Sequence, residues 1–220
     1  MDDGQLVLAE QLQRFRRGVE SRAAPADVLA LWQADVEAAA FWAARPMLQA
    51  GSLAPDFTLL DQHGTTVRLA DRLTQGPVVL VFSRGGWCPF CTLVLRAWQD
   101  ALPALHDASG DLLAILPERV DACSRTAERD LLAFPVLSDP GSRVAKTFGL
   151  VAELPEVVRP LYVRLGHDLP RINGTGDWRL PVPSTIVIGR DGRVVMAHTD
   201  PMLSERLEPA TVIDTVRRLA

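Results

Sequence analysis

The run Val78-Val79-Leu80-Val81-Phe82 constrains this chain more than any other segment, because a Cys-x-x-Cys pair stands just behind it. Its five apolar residues lie between Gly76-Pro77 and Ser83-Arg84-Gly85-Gly86. That is too short for a helix and suits a strand buried on both faces. Beyond Pro89 the apolar spacing changes: Leu93, Leu95, Ala97, Trp98, Ala101, Leu102 and Leu105 fit a largely buried helix. Pro89 suits the first helical turn, where its missing N–H costs nothing. The segment Trp87-Cys88-Pro89-Phe90-Cys91 therefore sits on a strand-to-helix junction. Three-residue spacing puts both sulfurs on one side of the helix start, where they can bridge. The unpaired N–H groups and positive end of the helix favour the thiolate and hold such a pKa at ~7 or below.

Strands and helices alternate around this junction. Asp56–Leu60 and Thr65–Leu69 flank a turn and read as a hairpin. Leu112–Leu116 is another buried strand, Arg119–Arg129 a short helix, Pro135–Ser138 a brief strand, and Ser142–Phe148 a helix stopped by Gly149. Glu156–Leu165 reads as helical within an irregular insertion. Thr185–Ile188 and Val194–His198 form a second hairpin, and Glu208–Leu219 a last helix. This order predicts an α/β fold, a central mixed sheet flanked by helices. Residues 1–50 read as a helical N-terminal extension of a domain spanning 51–220. Leu8, Leu12, Phe15 and Val19 recur at helical spacing. Pro25 starts a second helix carrying Val28, Leu31, Trp32, Val36, Ala39 and Phe41, closed by Pro46 and Gly51. The extension is expected to cap one face of the domain; a dimerisation arm serving a homodimer is the other role.

Net charge is −4 over 220 residues, which gives no footprint for nucleic acid or a membrane surface. No apolar stretch is long enough to span a bilayer, and no leader pattern opens the chain. Three cysteines make no disulfide framework, so the cytoplasm is the expected compartment and Cys-x-x-Cys is expected to be catalytic or metal-binding. Zinc would need two more ligands. His63, His106, His167 and His198 are scattered, so neither a metal nor an organic cofactor is expected.

Four segments resemble the alkyl hydroperoxide reductase/thiol-specific antioxidant (AhpC/TSA) family, in its peroxiredoxin-like branch with the thioredoxin fold. They are Gly51–Phe57, Arg84–Cys91, Phe134–Pro140 with Lys146–Leu150, and Trp178–Thr185 running into Asp191-Gly192-Arg193. The resemblance spans roughly residues 51–220. It implies an enzyme with one of two thiol mechanisms. Peroxiredoxins place Pro, then Thr four positions on, then the peroxidatic Cys three after that. Aligned here, Cys91 takes the peroxidatic place, Cys88 replaces the Thr and would resolve, and Arg84 replaces the Pro. Hydroperoxide reduction is the expected activity, with a thioredoxin-, glutaredoxin- or glutathione-type electron donor. In the second mechanism Cys88 attacks a protein disulfide and Cys91 resolves, as in thioredoxins and glutaredoxins. A non-catalytic interaction module is the remaining alternative.

The chain departs from both templates. Pro183 stands where peroxiredoxins carry the arginine that holds the attacked oxygens. By resemblance to thioredoxins it is expected to be cis and to leave a backbone edge free for a substrate chain; otherwise it is an ordinary proline at a strand start. Arg84 is the candidate replacement for the lost guanidinium, or else a solvated loop charge. The Val78–Phe82 strand lacks the acid that thioredoxins bury behind their dithiol. Trp87 and Phe90 are expected to shield the pair, Trp178 to pack the insertion rather than cover the site, Cys123 to be structural or incidental rather than a resolving partner for Cys91, and Arg206 to be a salt-bridged surface residue rather than one that enters the site.

Overall fold

The computed structural model describes residues 7–45 and 48–219; the expected helix stop at Pro46 lies outside them. The chain opens with helices α1 (Leu8–Glu20) and α2 (Pro25–Ala43), the second started by Pro25 in its first turn. A hairpin of β1 (Thr58–Leu60) and β2 (Thr66–Arg68) leads through α3 (Leu69–Leu73) to β3 (Val78–Phe82). Then come α4 (Pro89–Asp107), β4 (Asp111–Leu116), α5 (Val120–Asp130), β5 (Val136–Ser138) and α6 (Arg143–Thr147). The insertion holds β6 (Val151–Glu153), a 3-10 turn at Glu156–Val158, α7 (Arg159–Arg164), α8 (Leu169–Asn173) and β7 (Arg179–Pro181). The chain ends with β8 (Ser184–Ile188), β9 (Val194–Thr199) and α9 (Pro209–Arg217).

Seven strands form one mixed sheet in the order β2-β1-β5-β4-β3-β8-β9. β3 runs parallel to β4 and antiparallel to β8, so it is central and paired on both edges. The sheet also explains why the strand sequences read as unbroken apolar runs. Val79, Val81, Leu112, Ala114 and Leu116 point to one face, into a core with Trp98, Leu102 and Leu105 of α4 and Val212, Ile213 and Val216 of α9. Val78, Leu80, Phe82, Leu113 and Ile115 point to the other, against Phe57, Val67, Phe148 and Trp42. Alternation is present, but both faces are dry.

Helices α1 and α2 pack on the rest of the chain. α1 packs on α4 and inserts Leu8 and Leu12 into the first core. The N–H groups of Leu8 and Ala9 donate to the Glu208 carboxylate at 3.1 and 2.8 Å, satisfying free donors of the α1 start. Arg16 bonds Glu20, Asp35, the Met202 carbonyl and the Ser204 hydroxyl. α2 packs on the insertion, where Leu31 joins Leu154, Val158, Leu169 and Leu180. Of the residues expected on its apolar face, Trp32 and Val36 are instead exposed and form an outward stripe with Leu29. Leu12 is fully buried, so Leu12→Ala is expected to destabilise the protein by about 2–5 kcal/mol in a urea titration. A detached arm would show almost no change.

The insertion is more regular than the sequence indicated. β6 and β7 pair antiparallel as a separate two-stranded sheet. Trp178 packs within it, beneath the Arg159 guanidinium at 5.6 Å, as expected.

Candidate active site at the end of the central strand

β3 hands the chain to α4 through Ser83–Trp87. Ser83 N–H donates to the Ile115 carbonyl at 3.0 Å, extending the ladder by one bond. Gly85 then takes φ +134°, a left-handed conformation costly for any other residue. At Gly86 even a Cβ would lie 1.8 Å from Thr126 Oγ1, so the backbone passes as close to α5 as it can. Gly86 N–H donates to Glu118 Oε2 at 2.8 Å. This tight turn places Cys88 at the N-cap of α4, with Pro89 first inside it. Cys91 sits in the first turn, as the spacing predicted.

Both thiols are free and buried, Cys88 at 3% and Cys91 at 1% exposure. They share one proton unequally. The Cys91 thiol hydrogen-bonds the Cys88 sulfur, which outweighs burial; Arg84, the Cys91 N–H and Arg206 add to it, and the Cys88 pKa falls to about 6. The same bond, burial and the Cys88 charge push the Cys91 thiol well up. The Arg84 N–H donates to Cys91 Sγ at 3.4 Å. The arrangement thus favours the thiolate at Cys88 and the thiol at Cys91.

Arg84 is not a solvated loop charge. It is 6% exposed, and its guanidinium lies 5.4 Å from the Tyr162 ring centroid and 5.7 Å from that of Trp87. Burial opposes its charge, but Tyr162 and the two thiols hold it protonated. Trp87 lies in edge contact with Tyr162 at 6.0 Å and tilted against His167 at 4.8 Å.

Arg206 corrects the expectation of a surface residue. Its side chain is 5% exposed, against Asp200 at 1%, with Nε 3.2 Å from the Asp200 carboxylate. Asp200 also accepts the N–H groups of Met202 and Glu205. Arg206 Nε and Nη2 are buried without a hydrogen bond, and the charge of Arg206 favours the thiolate form of both cysteines. The charges of Arg84 and Arg206 therefore both favour the Cys88 thiolate, although the strand position used by peroxiredoxins holds Pro183.

Pro183 itself is corrected too. No peptide bond among the described residues is cis. Nor is the backbone beside it a free edge: Val182 N–H donates to the Leu150 carbonyl at 2.7 Å, and the Pro183 carbonyl accepts from Asp200 N–H at 2.9 Å.

Tyr162 was not legible as a site residue. It reaches the dithiol from the insertion, hydrogen-bonds Arg84, and is pushed up by burial with Arg84 opposing. Its only signal in the sequence is that it is the single tyrosine. Glu118 supplies a buried acid near the dithiol turn from the loop after β4 rather than from β3. Burial raises its pKa, while its bond from Gly86 lowers it. Cys123 is fully buried, donates weakly to the Glu118 carbonyl at 3.8 Å, and is pushed up to about 12 by burial, Glu118 and Asp121. That disfavours its thiolate form. Among the described residues no group of three His, Cys, Asp or Glu side chains converges as a metal site, and no helix is long and apolar enough to cross a membrane.

A cavity of ≈ 530 Å³ opens on this arrangement, and Cys88 lines it while Cys91 and Cys123 do not. A thiol at a helix N-terminus, with its thiolate favoured by Arg84 and Arg206 and a second thiol hydrogen-bonded to it, is equipped for redox chemistry at sulfur. The profile of the AhpC/TSA family matches residues 50–197, two thirds of the chain. The chain belongs to the AhpC/TSA family. Within it, the chain is similar to the peroxiredoxin Bcp of Escherichia coli (strain K12), 39% identical over 107 residues, which is 48% of this chain and 67% of that one. It is 34% identical over 104 residues to the chloroplastic peroxiredoxin Q of Triticum aestivum, covering 47% of this chain and 48% of that one. In structure it is similar to the peroxidoxin BcpB of Mycobacterium tuberculosis, with a TM-score of 0.63 at 24% identity over 79% of this chain and 99% of that one. That likeness shows the thioredoxin fold of peroxiredoxins. This AhpC/TSA protein is a thiol-dependent enzyme of the peroxiredoxin kind.

Proposed function

We propose that this enzyme reduces hydroperoxides with Cys88 as the attacking thiolate and Cys91 as the resolving thiol. The observation that carries the assignment is the position of Cys88 on the cavity wall, with its pKa lowered to about 6. The alignment gives the peroxidatic place to Cys91, but Cys91 lies behind Cys88 and holds its proton. In the first step the Cys88 sulfur bonds the nearer peroxide oxygen as the O–O bond breaks. The departing alkoxide takes a proton and leaves as the alcohol, or as water from hydrogen peroxide. Arg84 offers the positive charge that this developing oxyanion needs. Cys91 then attacks the Cys88 sulfenic acid; the S–S bond forms and water leaves. A thiol donor of the thioredoxin, glutaredoxin or glutathione type returns two electrons to the disulfide.

Burial of the dithiol beneath the N-terminal helices, and the engaged backbone beside Pro183, favour a small hydroperoxide over a protein disulfide as substrate. We assign residues 1–50 as the cap and 51–220 as the redox domain. The cytoplasm is the compartment that suits three free thiols. The Leu29, Trp32 and Val36 stripe on α2 is the surface through which a homodimer would form.

The test is stoichiometry with pH. Reduced protein mixed with hydrogen peroxide is expected to form one Cys88–Cys91 disulfide per peroxide consumed. Because the reactive form is the thiolate, the rate should rise as pH passes about 6 and level off above it. A rate still climbing at pH 8 to 9, as for an ordinary thiol at about 8.5, would contradict the assignment.

A further inference from the structure

We propose that Tyr162 is a further catalytic residue, whose phenol O–H gives the departing peroxide oxygen its proton. The proposal rests on the hydroperoxide-reducing reading above and adds the proton donor of its first step.

That step needs a donor. The Cys88 sulfur attacks as an anion, so the O–O bond breaks to an alkoxide, or to hydroxide from hydrogen peroxide. Both are strong bases that leave poorly unless a proton reaches them in the transition state. Arg84 offsets the charge but keeps its protons, because a guanidinium is not deprotonated in proteins.

Tyr162 is placed to supply the proton. It stands on α7 and lines the ≈ 530 Å³ cavity that Cys88 and Arg84 also line. Its ring is held on three sides: the Arg84 guanidinium lies 5.4 Å from its centroid, and Trp87 and His167 meet it edge-on at 6.0 and 6.3 Å. The Tyr162 carbonyl accepts the His167 N–H at 2.8 Å, which ties down the backbone after α7. Arginine carries donors only, so in the Arg84–Tyr162 hydrogen bond the phenol oxygen accepts. The phenol hydrogen is left to donate. Burial raises the phenol pKa, so Tyr162 holds that hydrogen at neutral pH until a strong base forms beside it.

The other titratable groups on the cavity wall are poorer donors. Glu20 and Asp35 are ion-paired with Arg16, and Asp27 with Arg164. An ion-paired carboxylate has no proton to give. Burial and Arg84 lower the His167 pKa, which disfavours its imidazolium. Cys91 does not line the cavity.

The step balances. Sulfur bonds the terminal peroxide oxygen, the O–O electron pair leaves with the other oxygen, and the phenol proton moves onto it. Two electrons pass from sulfur to the peroxide. The products are the Cys88 sulfenic acid, an alcohol or water, and a Tyr162 phenolate beside the Arg84 guanidinium. The phenolate recovers a proton from solvent before the next turnover.

The test is Tyr162→Phe, which keeps the ring and removes only the hydroxyl. Single-turnover oxidation of Cys88 is compared with wild type on hydrogen peroxide, which releases hydroxide, and on peracetic acid, which releases acetate and needs no proton donor. The rate with hydrogen peroxide is expected to fall about 10²-fold, the low end of general acid catalysis, and the rate with peracetic acid to stay within about twofold. Thiolate absorbance should still place the Cys88 pKa at about 6, since Arg84 remains beside it. Equal falls with both oxidants, or no fall with either, would overturn the role. A selective fall with a raised Cys88 pKa would assign the effect to a displaced Arg84 and overturn it too. A wild type that consumes neither oxidant would overturn the hydroperoxide reading, and the Tyr162 role with it. If Tyr162→Phe does not fold, 3-fluorotyrosine is incorporated in its place; the chain holds one tyrosine, so this hydroxyl alone changes. The more acidic phenol is expected to speed the hydrogen peroxide reaction about two- to fivefold and leave the peracetic acid reaction unchanged. Any other pattern would overturn the role.

Discussion

Replacing Cys88 with serine is expected to lower kcat/KM for hydrogen peroxide by at least about 10³-fold, some 4 kcal/mol at about 1.36 kcal/mol per tenfold. The hydroxyl has no accessible anion at neutral pH, so neither the helix terminus nor the arginines have a nucleophile to hold. The remaining Cys91 cannot take over. It is 1% exposed, lies outside the cavity lining, and its thiol is pushed up by the hydrogen bond with Cys88, by burial and by the Cys88 charge. Removing Cys88 lifts the first and third of these and leaves burial. Cys91→Ser should behave differently. Peroxide should still be attacked once, but turnover should stop at the sulfenic acid because nothing resolves it. Equal and complete loss of single-turnover peroxide attack in both variants would contradict this division of labour.

The second large effect belongs to Arg84. Arg84→Met keeps an apolar stem of similar reach and deletes the guanidinium. Loss of a preorganised donor aimed at a developing oxyanion costs about 10²–10³-fold in comparable sites, and a fall in that range is expected in kcat/KM for hydrogen peroxide. The Cys88 pKa should rise from about 6, because one of the charges that lowers it is gone. The sign follows from the charges: a cation stabilises the thiolate, so its removal favours the thiol and shifts the rate profile to higher pH. Thiolate absorbance against pH reads this directly. Arg84 is a cleaner target than Arg206. No carboxylate is among the groups that hold Arg84 charged, whereas Arg206 neutralises the buried Asp200 and its removal would entangle activity with stability. An unchanged pKa with lost activity would mean that Arg84 acts only on the departing oxygen. An unchanged rate would remove it from the site.

The sequence carried the scaffold well, for a physical reason. β3, α4 and the Cys88–Cys91 junction are set by local pattern: an apolar run, a proline in the first turn and a three-residue spacing. The unbroken runs of β3 and β4 correctly signalled strands buried on both faces, which the two separate cores bear out. The surroundings of the dithiol were less legible because they come from distant segments. Tyr162 arrives from an insertion whose short strands β6 and β7 leave weak periodicity. Arg206 reads as surface charge until Asp200 is known to be buried beside it. Pro183 looked like a thioredoxin feature, yet its neighbouring N–H and carbonyl groups are already paired. The amphipathic pattern of α1 was plain, but only the tertiary structure shows that Phe15 and Val19 line the cavity at Cys88 while Leu8 and Leu12 go to the core.

The most direct measurement is the site of sulfenic acid after one peroxide turnover. Reduced Cys88→Ser and Cys91→Ser proteins are mixed with hydrogen peroxide, trapped with a sulfenic-acid reagent and mapped by peptide mass spectrometry. An adduct is expected on Cys88 in the Cys91→Ser protein and none on Cys91 in the Cys88→Ser protein. A rapid adduct on Cys91 in the Cys88→Ser protein, with none on Cys88 in its counterpart, would contradict the assignment and return the peroxidatic role to the position that the family alignment gives.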